Sequence, residues 1–307
     1  MRVLITGGAG FIGSHIQDRY ISLGHEVTVL DDFSTGKREY VNPKSKLVEG
    51  NIVDGGLVSE VFERGGFDVV NHHAAQINIR YSFEDPVRDC RVNVIGTLNL
   101  LKAMVDFGVP KIVFASTGGA IYGDPDVLPA DEDAPLRPGS PYAISKLTCE
   151  NYIRNLGGLY GLRYAILRYA NVYGPRQIAK GEAGVVAIFT ERLLERKAPV
   201  IFGTGEHTRD YVYIGDVVES NVLALENGDG GVFNIGCGVE TNVHEVYEAV
   251  SRAFGEMALE AESGPAVPEV ERIALDCSRA REVLGWEPRV DFATGVKLTV
   301  RSYGVDA

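Results

Sequence analysis

Tyr142 and Lys146 are the residues of this 307-residue chain whose spacing points most directly to chemistry. They lie four positions apart in the segment Ser140–Lys146, and a helix beginning near Pro141 would place both side chains on one face. A neighbouring ammonium group lowers the pKa of a phenol, and such a phenol can take a proton from an alcohol at neutral pH. The same spacing also arises by chance as a surface pair, so its meaning depends on the surrounding elements.

A pair of hydroxyl residues, Ser116 and Thr117, follows the apolar run Lys111–Ala115. This run is typical of a buried strand, and hydroxyls at the carboxyl end of a strand face the ligand crevice of a parallel α/β sheet. Either hydroxyl could hydrogen-bond a reacting oxygen. The residue types alone do not decide between the two, and an ordinary turn at the strand end remains an alternative.

A glycine loop near the start of the chain predicts a dinucleotide site. Gly8–Gly13 matches the pattern GxGxxG, with a predicted strand before it and a predicted helix after it. Such a turn brings backbone N–H groups and a helix N-terminus close to a pyrophosphate. Asp31 closes the second predicted strand, where its carboxylate would accept a hydrogen bond from the ribose 2′-hydroxyl and repel a 2′-phosphate. The pattern therefore favours NAD over NADP, the alternative being a plain tight turn with an incidental acid.

Strands and helices alternate along the first half of the chain, which predicts a Rossmann-type, doubly wound α/β fold with a parallel sheet. The predicted strands are Arg2–Thr6, Glu26–Leu30, Asp68–Asn71, Lys111–Ala115 and Arg163–Arg168. The predicted helices here are Phe11–Leu23, Leu57–Arg64, Asn93–Phe107 and Tyr142–Tyr160. Beyond about Asn171 the alternation weakens, with helices at Val185–Glu195, Val217–Asn227, Val243–Phe254 and Asp276–Leu284 and a returning strand at Val232–Ile235.

This pattern predicts two interleaved parts rather than two separate domains. Residues 1–172, with 213–237 returning to them, form the expected NAD-binding part, and residues 173–307 form a smaller α/β substrate lobe. The net charge of −12 disfavours a nucleic-acid partner. No apolar run approaches a membrane span, and the N-terminus lacks the apolar stretch of a signal peptide. The four scattered cysteines fit neither a zinc site nor a disulfide framework, so we expect no metal and a cytoplasmic location.

Taken together, these motifs resemble those of the extended short-chain dehydrogenase/reductase family, and the resemblance runs nearly from end to end. Its carriers are Thr6–His15, Asp31, Asn51–Asp54, His73–Gln76, Asn93, Ser116–Gly123, the Tyr142/Lys146 pair, Arg168–Arg176 and Arg209–Tyr211. The resemblance implies NAD as cofactor and a UDP-sugar as substrate. It also implies a homodimer in which helices Asn93–Phe107 and Tyr142–Tyr160 pair with their copies.

The resemblance assigns roles to individual residues. It makes Tyr142 the catalytic acid and base, Lys146 its partner, and Thr117 the preferred hydroxyl, with Ser116 beside it. The implied cofactor-binding residues are Gly7, Gly10, Phe11, Ile12, Gly13, Asp31, Asp32, Asn51, Ile52, Ala74, Ala75, Asn93, Tyr142, Lys146 and Tyr169. The implied substrate-binding residues are Gln76, Thr117, Tyr142, Asn171, Val185, Arg209 and Arg272.

Two positions depart from the family pattern. Asn51 stands where an aspartate is common, and its amide oxygen can still accept from an adenine amine. In the segment Pro265–Glu269, Ala266 occupies the place of an arginine that grips the diphosphate in many relatives. Arg272 lies downstream and is the residue expected to compensate.

The residues after Thr117 select among the activities of the family. Relatives that dehydrate a nucleotide sugar carry an Asp-Glu pair there, because expelling water needs an additional acid and base. Here the pair is Gly118-Gly119, which cannot transfer protons. The expected reaction is therefore 4-epimerisation of a UDP-hexose (UDP-glucose and UDP-galactose) by transient oxidation at C4 and return of the hydride to the opposite face.

Three alternatives stay open at this point. The first is 4-epimerisation of UDP-glucuronate, with Arg80 or Arg176 as a carboxylate partner, or of UDP-N-acetylglucosamine. The second is a net NAD-linked sugar oxidoreductase, which would release NADH. The third is a catalytically silent NAD-sensing protein, against which the intact Thr117, Tyr142 and Lys146 argue.

Overall fold

A seven-stranded parallel sheet forms the centre of the computed structural model, which describes residues 1–179, 184–266 and 270–305. Its strands are β1 (Arg2–Thr6), β2 (Glu26–Asp31), β3 (Lys46–Glu49), β4 (Val69–His72), β5 (Lys111–Thr117), β6 (Arg163–Tyr169) and β11 (Gly231–Ile235). The strand order is β11-β6-β5-β4-β1-β2-β3. This order contains the 3-2-1-4-5-6 arrangement of doubly wound dinucleotide-binding folds, so the predicted fold class is confirmed.

Within the described residues, six short strands lie outside this sheet. They are β7 (Asn171–Tyr173), β8 (Val200–Phe202), β9 (Thr208–Arg209), β10 (Tyr211–Tyr213), β12 (Thr241–Asn242) and β13 (Glu262–Gly264). They form three two-stranded pairs, β10 with β7, β12 with β9, and β13 with β8.

Helices cover both faces of the sheet and build the smaller lobe. They are α1 (Phe11–Ser22), α2 (Gly55–Gly65), α3 (Ile79–Glu84), α4 (Pro86–Cys90), α5 (Gly96–Phe107), α6 (Gly118–Ile121), α7 (Pro141–Tyr160), α8 (Val185–Leu194), α9 (Ile214–Glu226), α10 (Val243–Phe254) and α11 (Phe292–Ser302). A π-helical stretch, Arg91–Ile95, joins α4 to α5, so the helix expected to begin at Asn93 in fact begins at Pro86. The helix expected over Asp276–Leu284 is reduced mainly to a π-helical turn at Ala280–Leu284.

Three hydrophobic clusters follow from this arrangement. Alternate residues of β1 point to opposite faces, so Val3 and Ile5 join the first cluster and Leu4 joins the second. The first cluster packs α1 and α9 onto the sheet, and the second packs α2, α5 and α7 onto the other face. The third cluster, which includes Tyr173 and Val246, draws its buried residues from position 173 onward.

The carboxyl ends of the central strands are where the predicted site residues gather. Ser116 and Thr117 of β5 pair in register with Arg168 and Tyr169 of β6. β11, which contains the strand expected at Val232–Ile235, pairs with β6 at the sheet edge. Among the described residues, no helix combines the length and apolar character needed to cross a membrane.

Candidate active site

The glycine loop between β1 and α1 is shaped so that side chains cannot occupy it. Gly7 has φ +71°, and a Cβ there would lie 2.6 Å from the backbone nitrogen of Ala74. A Cβ on Gly13 would lie 2.3 Å from the carbonyl oxygen of Gly7. Gly10 precedes α1 without a side-chain cap, which leaves the N–H groups of the first helical turn, at Phe11 and Ile12, available to an anion. The loop is thus a cradle for a phosphate group.

Asp31 ties this cradle to the next loop. It lies at the end of β2 with only 7% of its surface exposed, and its carboxylate accepts hydrogen bonds from the N–H groups of Ala9 (2.9 Å) and Phe33 (2.8 Å). Burial raises the pKa of Asp31, and the two hydrogen bonds oppose that shift. Each carboxylate oxygen keeps acceptor capacity for a ribose hydroxyl.

The adjacent loops place the residues expected near the adenine. The side-chain amide of Asn51 donates to Asp32 Oδ2 (2.7 Å), and its oxygen accepts from the Val53 N–H (2.9 Å). Ile52 is buried, and its carbonyl accepts a hydrogen bond from Asn99 Nδ2 (2.9 Å). Asn99 was not predicted from the sequence, because its role depends on α5 packing beside this loop.

Behind the cradle lies a buried polar layer that includes two histidines. His72 bonds to Thr6 and Thr97 through its two ring nitrogens, at 2.7 and 2.9 Å. His73 Nε2 lies 3.2 Å from the hydroxyl of Tyr169, and its Nδ1 has no hydrogen-bond partner among the described residues. Burial lowers the pKa of His73 to about 3, so this imidazole is neutral.

Ala74 and Ala75 follow β4 at the same edge of the sheet, beside the glycine cradle. The N–H of Ala74 donates to Thr6 Oγ1 (3.3 Å). No group of three or more His, Cys, Asp or Glu residues in the described parts of the chain could hold a metal ion.

The start of α7 brings Tyr142 and Lys146 to the end of β5. Ser140 caps the helix through the Ala143 N–H (3.2 Å), and Pro141 occupies its first turn. Thr117 lies beside Tyr142, and its hydroxyl acts to lower the pKa of the phenol. Lys146 is 4% exposed and donates from Nζ to the carbonyl oxygen of Ala115 (2.9 Å). The tyrosine, threonine and lysine expected to act together are therefore neighbours.

The electrostatics of this group differ from the sequence-based expectation. The pKa of Tyr142 is raised, first because the phenol is buried and second because of the negative charge of Asp89, while the Thr117 hydrogen bond opposes the shift. Burial lowers the pKa of Lys146 to about 8. The sequence led us to expect that Lys146 lowers the pKa of Tyr142. This expectation is wrong for the protein without NAD, because burial and the charge of Asp89 raise that pKa instead.

Ser116, the alternative hydroxyl, is directed elsewhere. It is 5% exposed, and its Oγ donates to Glu150 Oε1 (2.5 Å). Glu150 is in turn held by the guanidinium of Arg168 through two hydrogen bonds of 3.0 and 2.7 Å. The structure therefore pairs Ser116 with a buried ion pair and Thr117 with Tyr142.

The glycine pair after Thr117 is enforced by packing. A Cβ on Gly118 would lie 2.4 Å from Leu275 Cδ1, and one on Gly119 would lie 3.1 Å from Asn171 Oδ1. A side chain at position 118 would therefore require Leu275 to move, and one at position 119 would press on the side chain of Asn171. Gly118 and Gly119 themselves supply no acid or base for dehydration.

A polar cluster on α4 and the adjoining loop faces Tyr142. The Gln76 amide donates to Asp89 Oδ1 (2.8 Å) and to the Asn78 carbonyl (2.9 Å). Asn93 donates from Nδ2 to Asp89 Oδ1 (3.2 Å) and to Ser145 Oγ (3.0 Å). Gln76 is thus fixed by its neighbours. Asp89 had no motif to identify it in the sequence, and only its position one helical turn before Asn93 offered a signal.

The smaller lobe meets the sheet at β7 and β10, which run side by side. The buried carboxylate of Asp210 accepts hydrogen bonds from the N–H groups of Cys237 (2.8 Å), Gly238 (2.9 Å) and Leu275 (3.1 Å). Asp210 thereby anchors the position next to Arg209, which is half-buried. Val185 begins α8 and packs against the third cluster.

Arg272 is engaged differently from the expectation. Its guanidinium forms a bidentate ion pair with Glu240 (2.7 and 2.6 Å), whose carboxylate also accepts from the Thr208 hydroxyl (2.6 Å). Ala266 is exposed near Gly203, and Val267, Pro268 and Glu269 lie outside the described residues.

The two arginines considered as partners of a substrate carboxylate differ in their surroundings. Arg176 pairs with Asp18 of α1 (2.8 Å) and lies over the ring of Tyr40. Arg80 lies in α3 with its side chain exposed.

Comparison with known proteins agrees with this geometry. Residues 3–236 match the model of the NAD dependent epimerase/dehydratase family. The chain belongs to that family. A UDP-glucose 4-epimerase of Mycolicibacterium smegmatis is 44% identical over 309 residues, which cover 99% of this chain and 98% of the relative.

Two solved structures of the family superpose closely on the chain. The UDP-glucose 4-epimerase of Thermotoga maritima with UDP-glucose has a TM-score of 0.96 and 45% identity, with 99% of each chain covered. The UDP-glucose 4-epimerase of Thermus thermophilus in complex with NAD has a TM-score of 0.95 and 45% identity, with 100% of each chain covered.

NAD is the cofactor of this family, and the residues present fit it. Gly7 and Gly13 leave a cradle that a Cβ would fill, and the uncapped start of α1 faces it. The carboxylate of Asp31 lies next to the same loop. This enzyme is accordingly an NAD-dependent epimerase of the family.

Proposed function

We propose that the chain is a UDP-glucose 4-epimerase, which interconverts UDP-glucose and UDP-galactose. The observation that carries this proposal is the placement of Thr117 beside Tyr142, followed by Gly118, which is packed against Leu275 and supplies no acid. The site thus has the groups for proton removal and return at one alcohol and lacks those for dehydration. Full-length relatives that carry this name support the substrate.

The proton chemistry belongs to Tyr142. NAD, when bound, supplies a reversible hydride acceptor and, in its oxidised form, a positive charge near the phenol. That positive charge offsets the rise in the Tyr142 pKa that burial and Asp89 cause. Tyr142 then takes the proton of the C4 hydroxyl while Thr117 orients the oxygen. After the 4-keto sugar has turned over in the site, Tyr142 returns the proton. In the protein alone the raised pKa of Tyr142 disfavours the phenolate, so the first step depends on the positive charge that the oxidised cofactor would bring.

The cofactor contacts follow from the same geometry. We assign the pyrophosphate to the cradle of Gly7, Gly10 and Gly13 with the N–H groups of Phe11 and Ile12. Asp31 meets the adenosine ribose, with Asp32, Asn51 and Ile52 near the adenine, and Ala74, Ala75, Asn93, Lys146 and Tyr169 line the nicotinamide side. The hydroxyl of Tyr169 is held by His73 and by Asn221 Nδ2 (2.8 Å), which fixes its ring at this wall.

The nucleotide sugar occupies the cleft between sheet and lobe in this proposal. Gln76 and Asn171 flank the sugar, Val185 lies at the nucleotide end, and Arg209 meets the diphosphate. Arg272 is not assigned to the diphosphate, because Glu240 already neutralises it. The boundaries 1–172 with 213–237, and 173–307, stay our proposal for the two parts, and the third cluster supports them.

We propose a homodimer built on α7 and on the helix that runs from Pro86 to Phe107. Apolar side chains project from these neighbouring helices, with Val87 75%, Ile95 43% and Ile144 52% exposed. An apolar surface of this kind favours a protein partner over water, and sedimentation of Ile144→Lys against the wild type would test for the loss of a dimer. The free thiols of all four cysteines support the proposed cytoplasmic location.

The proposed function has a direct test. Purified protein is incubated separately with UDP-galactose, UDP-N-acetylglucosamine and UDP-glucuronate, and inversion at C4 is followed by NMR together with absorbance at the NADH band. We expect conversion of UDP-galactose to UDP-glucose without net NADH, and its near-complete loss in Tyr142→Phe with NAD still bound. Stoichiometric NADH, or inversion of UDP-glucuronate alone, would contradict the proposal.

A further inference from the structure

The hydroxyl of Ser116 is not used in the proton chemistry proposed for Tyr142, although it lies directly before Thr117 in β5. It is 5% exposed and donates to Glu150 Oε1 (2.5 Å). The same carboxylate accepts from Arg168 through Nε (3.0 Å) and Nη2 (2.7 Å). Glu150 and Arg168 are also buried, so the three side chains are partners of one another and are closed to solvent. Their role therefore lies in what they hold in place.

The hydrogen bond from Ser116 joins the two elements that carry the proposed proton chemistry. Ser116 belongs to β5 and Glu150 to α7. Within α7, Glu150 follows Tyr142 by eight residues and Lys146 by four, so these three side chains lie along one face of the helix. At a rise of about 1.5 Å per residue, Glu150 lies about 12 Å from Tyr142 along the helix axis. A rigid helix carries a displacement at one of these positions to the other.

A second polar contact connects α7 to the same strand, because Lys146 Nζ donates to the carbonyl oxygen of Ala115 (2.9 Å). Apolar side chains of α7, Cys149 and Ile153 among them, pack in the second cluster on the same face of the sheet. Apolar burial is non-directional, whereas a hydrogen bond is favourable only over a narrow range of distance and angle. The polar contacts therefore define the position and the rotation of α7 relative to β5, which apolar packing leaves less constrained.

The sheet side of this group is tied to two further strands. Arg168 lies in β6, in register with Ser116, and its Nη1 donates to the hydroxyl of Tyr122 (2.9 Å). The Tyr122 hydroxyl donates in turn to Asn234 Oδ1 (2.7 Å) on β11, the strand beside β6. Replacing a buried ion pair by apolar side chains of similar size often leaves a protein as stable or more so, and stability alone does not account for such a pair. What this pair adds is a directional seat for α7 on three neighbouring strands.

We propose that Ser116 is a positioning residue: its hydrogen bond to Glu150 seats α7 on β5 and so holds Tyr142 where proton transfer requires it. This inference rests on the proposed function, because it concerns the proton that Tyr142 takes from the sugar and returns. A displacement of about 1 Å between reacting groups costs about 100-fold in rate. The cofactor cradle at Gly7–Gly13 lies on β1 and α1, so loosening α7 leaves it intact.

The test compares the NAD-loaded wild type with Ser116→Ala, which removes the hydroxyl and leaves both hydrogen bonds between Arg168 and Glu150 in place. Conversion of UDP-galactose to UDP-glucose is measured over a range of substrate concentrations, and rates are expressed per bound NAD so that unfolded chains do not count. We expect kcat of Ser116→Ala to fall by about tenfold or more, with KM and the NAD content per chain unchanged. A substitution that merely loosened the fold would lower the NAD content and leave kcat per bound NAD as in the wild type.

Two further variants separate the hydroxyl from other effects of the substitution. Ser116→Thr keeps the hydroxyl and should recover most of the wild-type kcat. Ser220→Ala is the matched control, because it removes a buried hydroxyl on α9, on the opposite face of the sheet, where Oγ donates to the Val217 carbonyl (2.7 Å). We expect wild-type kinetics from this control. Should Ser116→Ala fail to fold, Ser116→Cys, whose thiol is a weaker donor, takes its place in the comparison.

The kinetics decide the inference and the proposed function separately. A kcat of Ser116→Ala within about twofold of the wild type overturns the inference. An equal loss in NAD-loaded Ser116→Ala and Ser116→Thr also overturns it, since the hydroxyl is then not what matters. Wild-type protein that does not convert UDP-galactose refutes the proposed function. If it inverts UDP-N-acetylglucosamine or UDP-glucuronate, the same comparison on that sugar decides the role of Ser116, and if it inverts neither, the inference falls as well.

Discussion

Lys146→Met is expected to stabilise the NAD-free protein at neutral pH even though it removes a residue of the active site. Lys146 is 4% exposed, its Nζ donates to the Ala115 carbonyl (2.9 Å), and it lies 4.9 Å from the ring centre of Phe114. Burial lowers its pKa from 10.5 to about 8. At neutral pH the folded chain therefore carries a charged ammonium group in a site that disfavours the charge.

The size and the sign of the effect follow from the pKa. A lowering of about 2.5 units corresponds to about 3 kcal/mol of unfolding free energy. Between pH 8 and 10.5 the unfolded chain binds more protons than the folded chain, so wild-type stability rises with pH across this window. Below pH 8 the folded chain bears the full cost of burying the charged Lys146, and above pH 10.5 Lys146 is neutral in both states, so this cost vanishes. Methionine does not titrate, so Lys146→Met escapes the penalty, offset at every pH by about 1 kcal/mol for the lost hydrogen bond.

The assay is urea unfolding from pH 7 to pH 10.5, followed by the fluorescence of the single tryptophan, Trp286, which is buried. The stability gain of Lys146→Met over the wild type should be about 2 kcal/mol at neutral pH and should disappear or reverse at high pH. Lys111→Met is the control, since Lys111 is equally buried but ion-paired with Asp229 (2.6 Å), and its loss should destabilise the protein at neutral pH. A difference between Lys146→Met and the wild type that does not vary with pH refutes the reasoning.

Other substitutions probe the remaining parts of the site. Gly118→Asp should lower the unfolding free energy by about 1–3 kcal/mol, because the added side chain overpacks against Leu275. NMR should detect no dehydrated sugar. A stable variant that dehydrates the sugar would contradict the packing argument. Asp31→Ala leaves two backbone N–H groups without a hydrogen-bond acceptor, so the free energy of unfolding in urea should fall by about 1–3 kcal/mol. The affinity for NAD, measured by fluorescence titration, should fall by about tenfold or more. Unchanged NAD affinity would mean that Asp31 is not part of the cofactor site. Glu150→Gln leaves Arg168 charged and buried without its ion-pair partner, so the free energy of unfolding, measured by thermal unfolding, should fall by about 3–5 kcal/mol. A decrease below about 1 kcal/mol would mean that water reaches the pair.

Local sequence patterns predicted much of the fold. Strand β1 and helix α10 have the bounds predicted from the sequence, and β2, β5 and β6 extend only one or two residues further. These elements are encoded by periodicity and by adjacent turn residues, which act over a few positions. β3 was missed because this edge strand has only Leu47 and Val48 as apolar residues, and its pairing with β2 supplies what its sequence lacks.

The candidate site divides in a similar way. The motifs around Gly7–Gly13 and Tyr142/Lys146 could be recognised because each depends on one turn or one helix face. The contact of Thr117 with Tyr142, the pairing of Ser116 with Glu150 and the engagement of Arg272 by Glu240 each join segments far apart in the chain. No short pattern records such contacts, so choosing between candidate side chains required the packed structure.

The sequence by itself determined the class of fold and predicted the NAD cradle and the residues proposed for the proton chemistry, because these follow from local backbone geometry and from the kinds of side chain present. Only the tertiary structure decided the electrostatics. Tyr142 has a raised pKa and Lys146 a lowered one because burial removes water from both, and Asp89 adds its charge from another helix. Desolvation and charge depend on everything that surrounds a group, and that surrounding exists only once distant segments have packed together.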